Sequence, residues 1–124
     1  MNKKILIVDD NKTLCETLAK IIENEGYIVE CSFNGKNTIK LLENNHYDAL
    51  IIDYKLPDVS GWKILQNYHN NKKFPAAIMI SAYADNFLQR RATEENILLI
   101  DKPFDNSELI TALNSITNIR KNAL

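Results

Sequence analysis

Cysteine is scarce in this chain of 124 residues, with Cys15 and Cys31 its two examples. Neither has metal-ligand spacing or clustered histidines nearby. They sit inside a helix-like and a strand-like segment, so they read as small buried hydrophobes rather than as a disulfide or a metal site. That usage suits a reducing cytoplasm. An excess of positive charge is missing as well: 15 Lys and Arg stand against 16 Asp and Glu, which argues against direct nucleic-acid binding by this chain. No apolar run of about 18 residues occurs, and the run after Met1 is too short for a signal-peptide core. A soluble, cytoplasmic protein with no membrane partner is therefore expected. Internal repeats, low-complexity tracts and linkers are absent too. The chain has room for one domain, over residues 1–120, with 121–124 as a tail that frays.

What is present is alternation. Short apolar runs of the buried-strand kind recur at Lys4 to Val8, Tyr27 to Cys31, Ala49 to Ile52, Ala76 to Ile80 and Ile97 to Ile100. Helical periodicities lie between them. Leu14, Leu18, Ile21 and Ile22 share a face that Gly26 ends. Ile39 and Leu42 follow an Asn34-Gly35 turn, and Trp62, Ile64, Leu65 and Tyr68 follow Gly61. Phe87, Leu88 and Ala92 mark a weaker fourth helix from about Asn86 to Glu95. Asp105 and Glu108 have capping-box spacing ahead of Leu109, Ala112, Leu113 and Ile116. Five βα units in a row imply an α/β sandwich: a parallel sheet with helices on both faces.

In such a sheet, ligands bind beyond the carboxyl ends of the strands, where strand order reverses. Every strand end but the second is chemically loaded: Asp9 and Asp10, then Asp53, Ser81, and Lys102 before Pro103. With strand order 2-1-3-4-5, the three carboxylates converge on one crevice beside a hydroxyl and an ammonium. Carboxylates crowded together call for a cation, and Mg²⁺ suits oxygen donors of this kind. Lys102 and Ser81 complement a phosphoryl group on the other side, which makes Asp53 the candidate nucleophile.

"ILIVDDN", "ALIIDYKLPDVSGW", "IMISAY" and "DKPF", in this order and at this spacing, resemble the receiver domain of two-component response regulators. The resemblance covers almost the whole chain. It implies a five-stranded, flavodoxin-like doubly wound fold and a phosphorylation-dependent switch rather than a turnover enzyme. Asp53 would take a phosphoryl group from a phosphohistidine on a sensor histidine kinase or phosphotransfer protein. Asp10, Asp9 (partly through water), Asp53 and the backbone carbonyl of Lys55 would hold Mg²⁺. Ser81 would bond the phosphoryl oxygen as its loop closes, and Lys102, before a cis proline, would pair with the phosphoryl group. Lys55 and Tyr83 would shield the acyl phosphate from water and slow its hydrolysis. Leu99 departs from the pattern, since receivers usually carry a Tyr or Phe there as the moving arm of the switch. Glu95-Asn96 stands where Gly-Ala is common.

Other readings carry different expectations. A Mg²⁺-dependent phosphohydrolase of the haloacid-dehalogenase kind places nucleophile and acid/base two apart on the first strand, whereas Asp9 and Asp10 are adjacent. A flavodoxin-type cofactor carrier needs an anion-welcoming loop where these acids stand. A docking module without chemistry would not need all five site residues. Asp58, His46 and His69 belong to no constellation and read as turn or surface residues. Trp62, Phe87 and Phe104 read as packing, and Arg90 and Arg91 as a solvated helix face. Association is left at monomer or weak dimer through the fourth and fifth helices.

Overall fold

The apolar runs are strands and the periodic segments are helices in a computed structural model of the chain, which describes residues 2–69, 75–82, 85–95 and 97–117. In chain order these are β1 (Lys4–Val8), α1 (Lys12–Glu23), β2 (Ile28–Ser32), α2 (Gly35–Asn44), β3 (Ala49–Asp53), α3 (Gly61–His69), β4 (Ala76–Ser81), α4 (Asn86–Glu94), β5 (Leu98–Asp101) and α5 (Asn106–Thr117). The strands form one parallel sheet in the expected order β2-β1-β3-β4-β5. The tail at 121–124 lies outside the described residues.

Period-two alternation along the central strands sends side chains into two cores. Ile5, Ile7, Ile51 and Ile78 face Cys15, Leu18 and Ile22 of α1 and Leu109 and Leu113 of α5. Leu6, Leu50, Ile52 and Met79 face Ile64 and Leu65 of α3 and Leu88 of α4, with Ile39 and Leu42 of α2 half-buried beside them. Covering both faces is what lets a parallel sheet be apolar throughout.

Several expectations shift. β2 starts at Ile28, not Tyr27, and β5 at Leu98, not Ile97. Neither is fully buried, because both are edge strands: Ile28 is 49% exposed and Leu98 40%. β3 and β4 each run one residue further than their apolar stretch, so Asp53 and Ser81 are the last residues of their strands. Asn34-Gly35 is no free turn. Asn34 is the N-cap of α2, its Oδ1 accepting the Asn37 N–H at 2.8 Å, and Gly35 is the first helical residue. In α4, Leu88 and Ala92 are buried four residues apart, which rotates Phe87 outward to 67% exposure. Gly26, with φ 97°, follows α1 as the stop signal requires.

Candidate functional site

β1 and β3 are neighbours, so Asp9 and Asp10 at the end of one meet Asp53 at the end of the other. One carboxylate oxygen from each lies within 4.8 Å of those of the other two. Asp9 and Asp53 are buried and Asp10 is exposed. β4 and β5 bring the remaining pieces to the same rim. The Lys102 N–H donates to the Ser81 carbonyl at 2.9 Å, and the Lys102 Nζ lies 2.9 Å from Asp53 Oδ2 and 3.5 Å from Asp9 Oδ2. The Lys102–Pro103 peptide is cis, as the resemblance implies. A pocket of about 270 Å³ opens here, walled by Asp10, Asp53, Lys55, Leu56, Ser81 and Lys102.

The electrostatics follow from this crowding. Burial is the main cause that lifts the Asp9 carboxyl above its usual range; the Asn11 N–H, donating to Oδ1 at 2.9 Å, opposes this, and the Asp53 charge adds to it. Burial alone would lower the Lys102 ammonium, but the hydrogen bond and charge of Asp53, helped by Asp9, outweigh it and hold Lys102 above its usual value. Lys102 is thus a partner of the acids themselves, and not only a reserve for a phosphoryl group. The donor set fits a hard divalent cation: the clustered ligand atoms are carboxylate oxygens, and the acids outnumber the lysines at the pocket.

The model of the response regulator receiver domain matches residues 5–114. This chain belongs to that family. Among curated relatives, the receiver is 30% identical over 111 residues to the transcriptional regulatory protein CrdR of Helicobacter pylori, covering 88% of this chain and 52% of CrdR. It is also 30% identical over 114 residues to the response regulator ArlR of Staphylococcus saprophyticus, covering 91% of this chain and 51% of ArlR. It therefore spans about half the length of these relatives. A CheY-like receiver domain protein from Methanospirillum hungatei superposes with a TM-score of 0.89 at 26% identity over all of both chains. The receiver domain of Francisella response regulator 1452 gives 0.88 at 25% identity, over 94% of this chain and 98% of that one.

Around the receiver's rim, the sequence reading missed the residues that hold Asp9 in place. The Ser32 carbonyl accepts the Asp9 N–H at 3.1 Å, Cys15 Sγ donates to the Asp9 carbonyl at 3.3 Å, and Asn11 binds its carboxylate. Only Asn11 left a local signal, as an N-cap residue immediately ahead of a helical pattern. Lys55 is exposed, and its N–H donates to Asp53 Oδ1 at 3.2 Å. Leu99 is half-buried against the α3 and α4 side of the sheet. Tyr83 and Asn96 lie outside the described residues, as do the side chains of Tyr68 and His69.

Three bland readings need correction. Asp58 is no idle turn residue, because its carboxylate binds two backbone amides of α2. Arg91 is half-buried, its guanidinium 5.2 Å from the centre of the Trp62 ring and 5.8 Å from that of Phe87. Phe87 is exposed, not packed in the core. Gln66 Oε1, in the amide orientation that satisfies both neighbours, accepts from Trp62 Nε1 at 3.1 Å and Arg91 Nη2 at 2.9 Å, so α3 and α4 are clasped through polar and aromatic groups. Helical periodicity, which counts apolar residues, does not register such a contact.

Proposed function

We propose that this receiver is a phosphorylation-dependent switch in which Asp53 accepts a phosphoryl group from a phosphohistidine donor. One observation carries the reading: Asp53 lies within 4.8 Å of two other carboxylates and 2.9 Å from an ammonium, at the edge of an open pocket. A carboxylate oxygen of Asp53 attacks phosphorus, the new O–P bond forms, the P–N bond breaks, and the electron pair returns to the imidazole nitrogen. Asp9, Asp10, Asp53 and the Lys55 carbonyl are the groups that would hold Mg²⁺, which supplies charge neutralisation for the incoming phosphoryl oxygens. Lys102 holds Asp53 in place and stabilises the charge that grows on the transferred group. The Ser81 hydroxyl, buried at the end of β4, is the donor drawn toward that group.

The consequence is a population shift that changes the surface around α4 and α5 for an output partner. The donor is a cytoplasmic sensor histidine kinase or histidine phosphotransfer protein. Lys55 and Tyr83 slow hydrolysis of the acyl phosphate. Incubation with acetyl phosphate, with and without Mg²⁺, followed by intact mass, tests the reading. The expected result is a Mg²⁺-dependent gain of one phosphoryl group that is lost in Asp53→Ala. Labelling that survives in Asp53→Ala, or no labelling of the native chain, overturns it.

A further inference from the structure

Asp58 lies in the loop between β3 and α3, yet its side chain is engaged elsewhere. Oδ1 accepts the Gly35 N–H at 2.8 Å and Oδ2 the Lys36 N–H at 3.0 Å, at the start of α2. These amides belong to the set a helix leaves without intrahelical partners at its positive end, and they hold the Asp58 carboxyl below its usual range. The approach is close. A Cβ added to Gly35 would stand 2.1 Å from Val59 Cγ1 and 3.0 Å from Asp58 Oδ1, so this contact requires glycine.

α2 already has a local cap in Asn34. The second cap comes from 23 residues away, and its distinctive effect falls on the loop that supplies it. The near end of that loop is tied both to the acceptor and to its own far end. The Lys55 N–H bonds Asp53 Oδ1, Lys55 and Ser60 form an antiparallel bridge, and the Gly61 N–H donates to the Tyr54 carbonyl at 2.7 Å. Between these ties and Asp58 lie Leu56 and Pro57, which with Lys55 wall the acceptor pocket.

We propose that Asp58 is a positioning residue for the cation site. Its paired hydrogen bonds to the start of α2 fix the Tyr54–Ser60 loop, and with it the Lys55 backbone that would share a divalent cation with Asp10 and Asp53. This rests on the cation reading given above. Asp58 acts through the loop, as groups behind a metal's ligands commonly do.

The test is a Mg²⁺ titration of the full chain, followed by the amide shifts of Asp10 and Lys55 in two-dimensional NMR, with urea unfolding alongside. Asp58→Ala is expected to raise the Mg²⁺ Kd roughly tenfold. Asp58→Asn, which keeps one acceptor, should fall between it and the native chain. Gly35→Ala disturbs the same contact from the opposite side, so it should weaken Mg²⁺ binding too, and the double variant should lose little more than the weaker binder of the two alone. A cap that serves only the helix would lower the urea midpoint and leave the Mg²⁺ Kd unchanged in both Asp58 variants. That result overturns the proposal while native Mg²⁺ binding, abolished in Asp10→Ala, keeps the cation reading intact. Absence of Mg²⁺ binding by the native chain removes both.

Discussion

Replacing Lys102 with methionine removes the ammonium bonded to Asp53 and Asp9 while keeping most of the side-chain volume. Two carboxylate oxygens within 4.8 Å of each other repel by about 3.5 kcal/mol or more at an effective dielectric of about 20. Lys102 keeps 29% of its side chain in water, so the pair is partly screened. The expected loss of stability is about 2 kcal/mol, below the roughly 3–5 that follows from breaking a fully buried pair. The pH dependence has a defined sign. The Asp9 carboxyl is already above its ordinary value of 3.8, and loss of the ammonium lifts it further. Above 3.8 and up to the raised value, the folded chain keeps a proton that the unfolded chain has released, so stability falls as pH rises through that window. Urea unfolding of Lys102→Met at a pH of about 7.5 without Mg²⁺ should show the full deficit; acidification toward a pH of about 5 should shrink it, and adding Asp9→Asn should relieve it. A variant as stable as the native chain at the higher pH would refute the reasoning.

Asp9→Asn alone should remove that downward slope of stability with rising pH, and it should cut the rise in urea midpoint that Mg²⁺ gives the native chain. Gly61→Ala places a Cβ 2.2 Å from the Asp53 carbonyl oxygen; a loss of about 2–3 kcal/mol in urea unfolding and slower labelling by acetyl phosphate are expected. Arg91→Ala opens the clasp between α3 and α4 at a cost of about 1 kcal/mol, and emission from Trp62, the only tryptophan, should change with it. Unaltered emission would mean that the stacking is not maintained in solution.

The sheet was legible because a parallel sheet covered on both faces leaves continuous apolar runs, and the rim because strand ends in such a sheet point one way. Asp53 and Ser81 fell just outside the runs for a simple reason: apolar patterning stops at the last apolar residue, one short of where the ladder ends. The exposure of Ile28 and Leu98 depends on which strands are edges, and that is decided by partners far along the chain. The same holds for Asp58 and for the Arg91 clasp, whose partners are set by the tertiary fold. Cys15 was read rightly as packing, but its thiol also serves the Asp9 backbone. Local patterns carry no trace of that contact.

Counted as ionised, Asp9, Asp10 and Asp53 carry three negative charges and Lys102 and Lys55 two positive, a surplus of one at the mouth of the pocket. Free phosphate or a stray nucleotide approaching unaccompanied is turned away by that surplus. A single divalent ion would reverse it. On the cation reading, charge would thus set the order of arrival, anions entering once a counter-ion is seated.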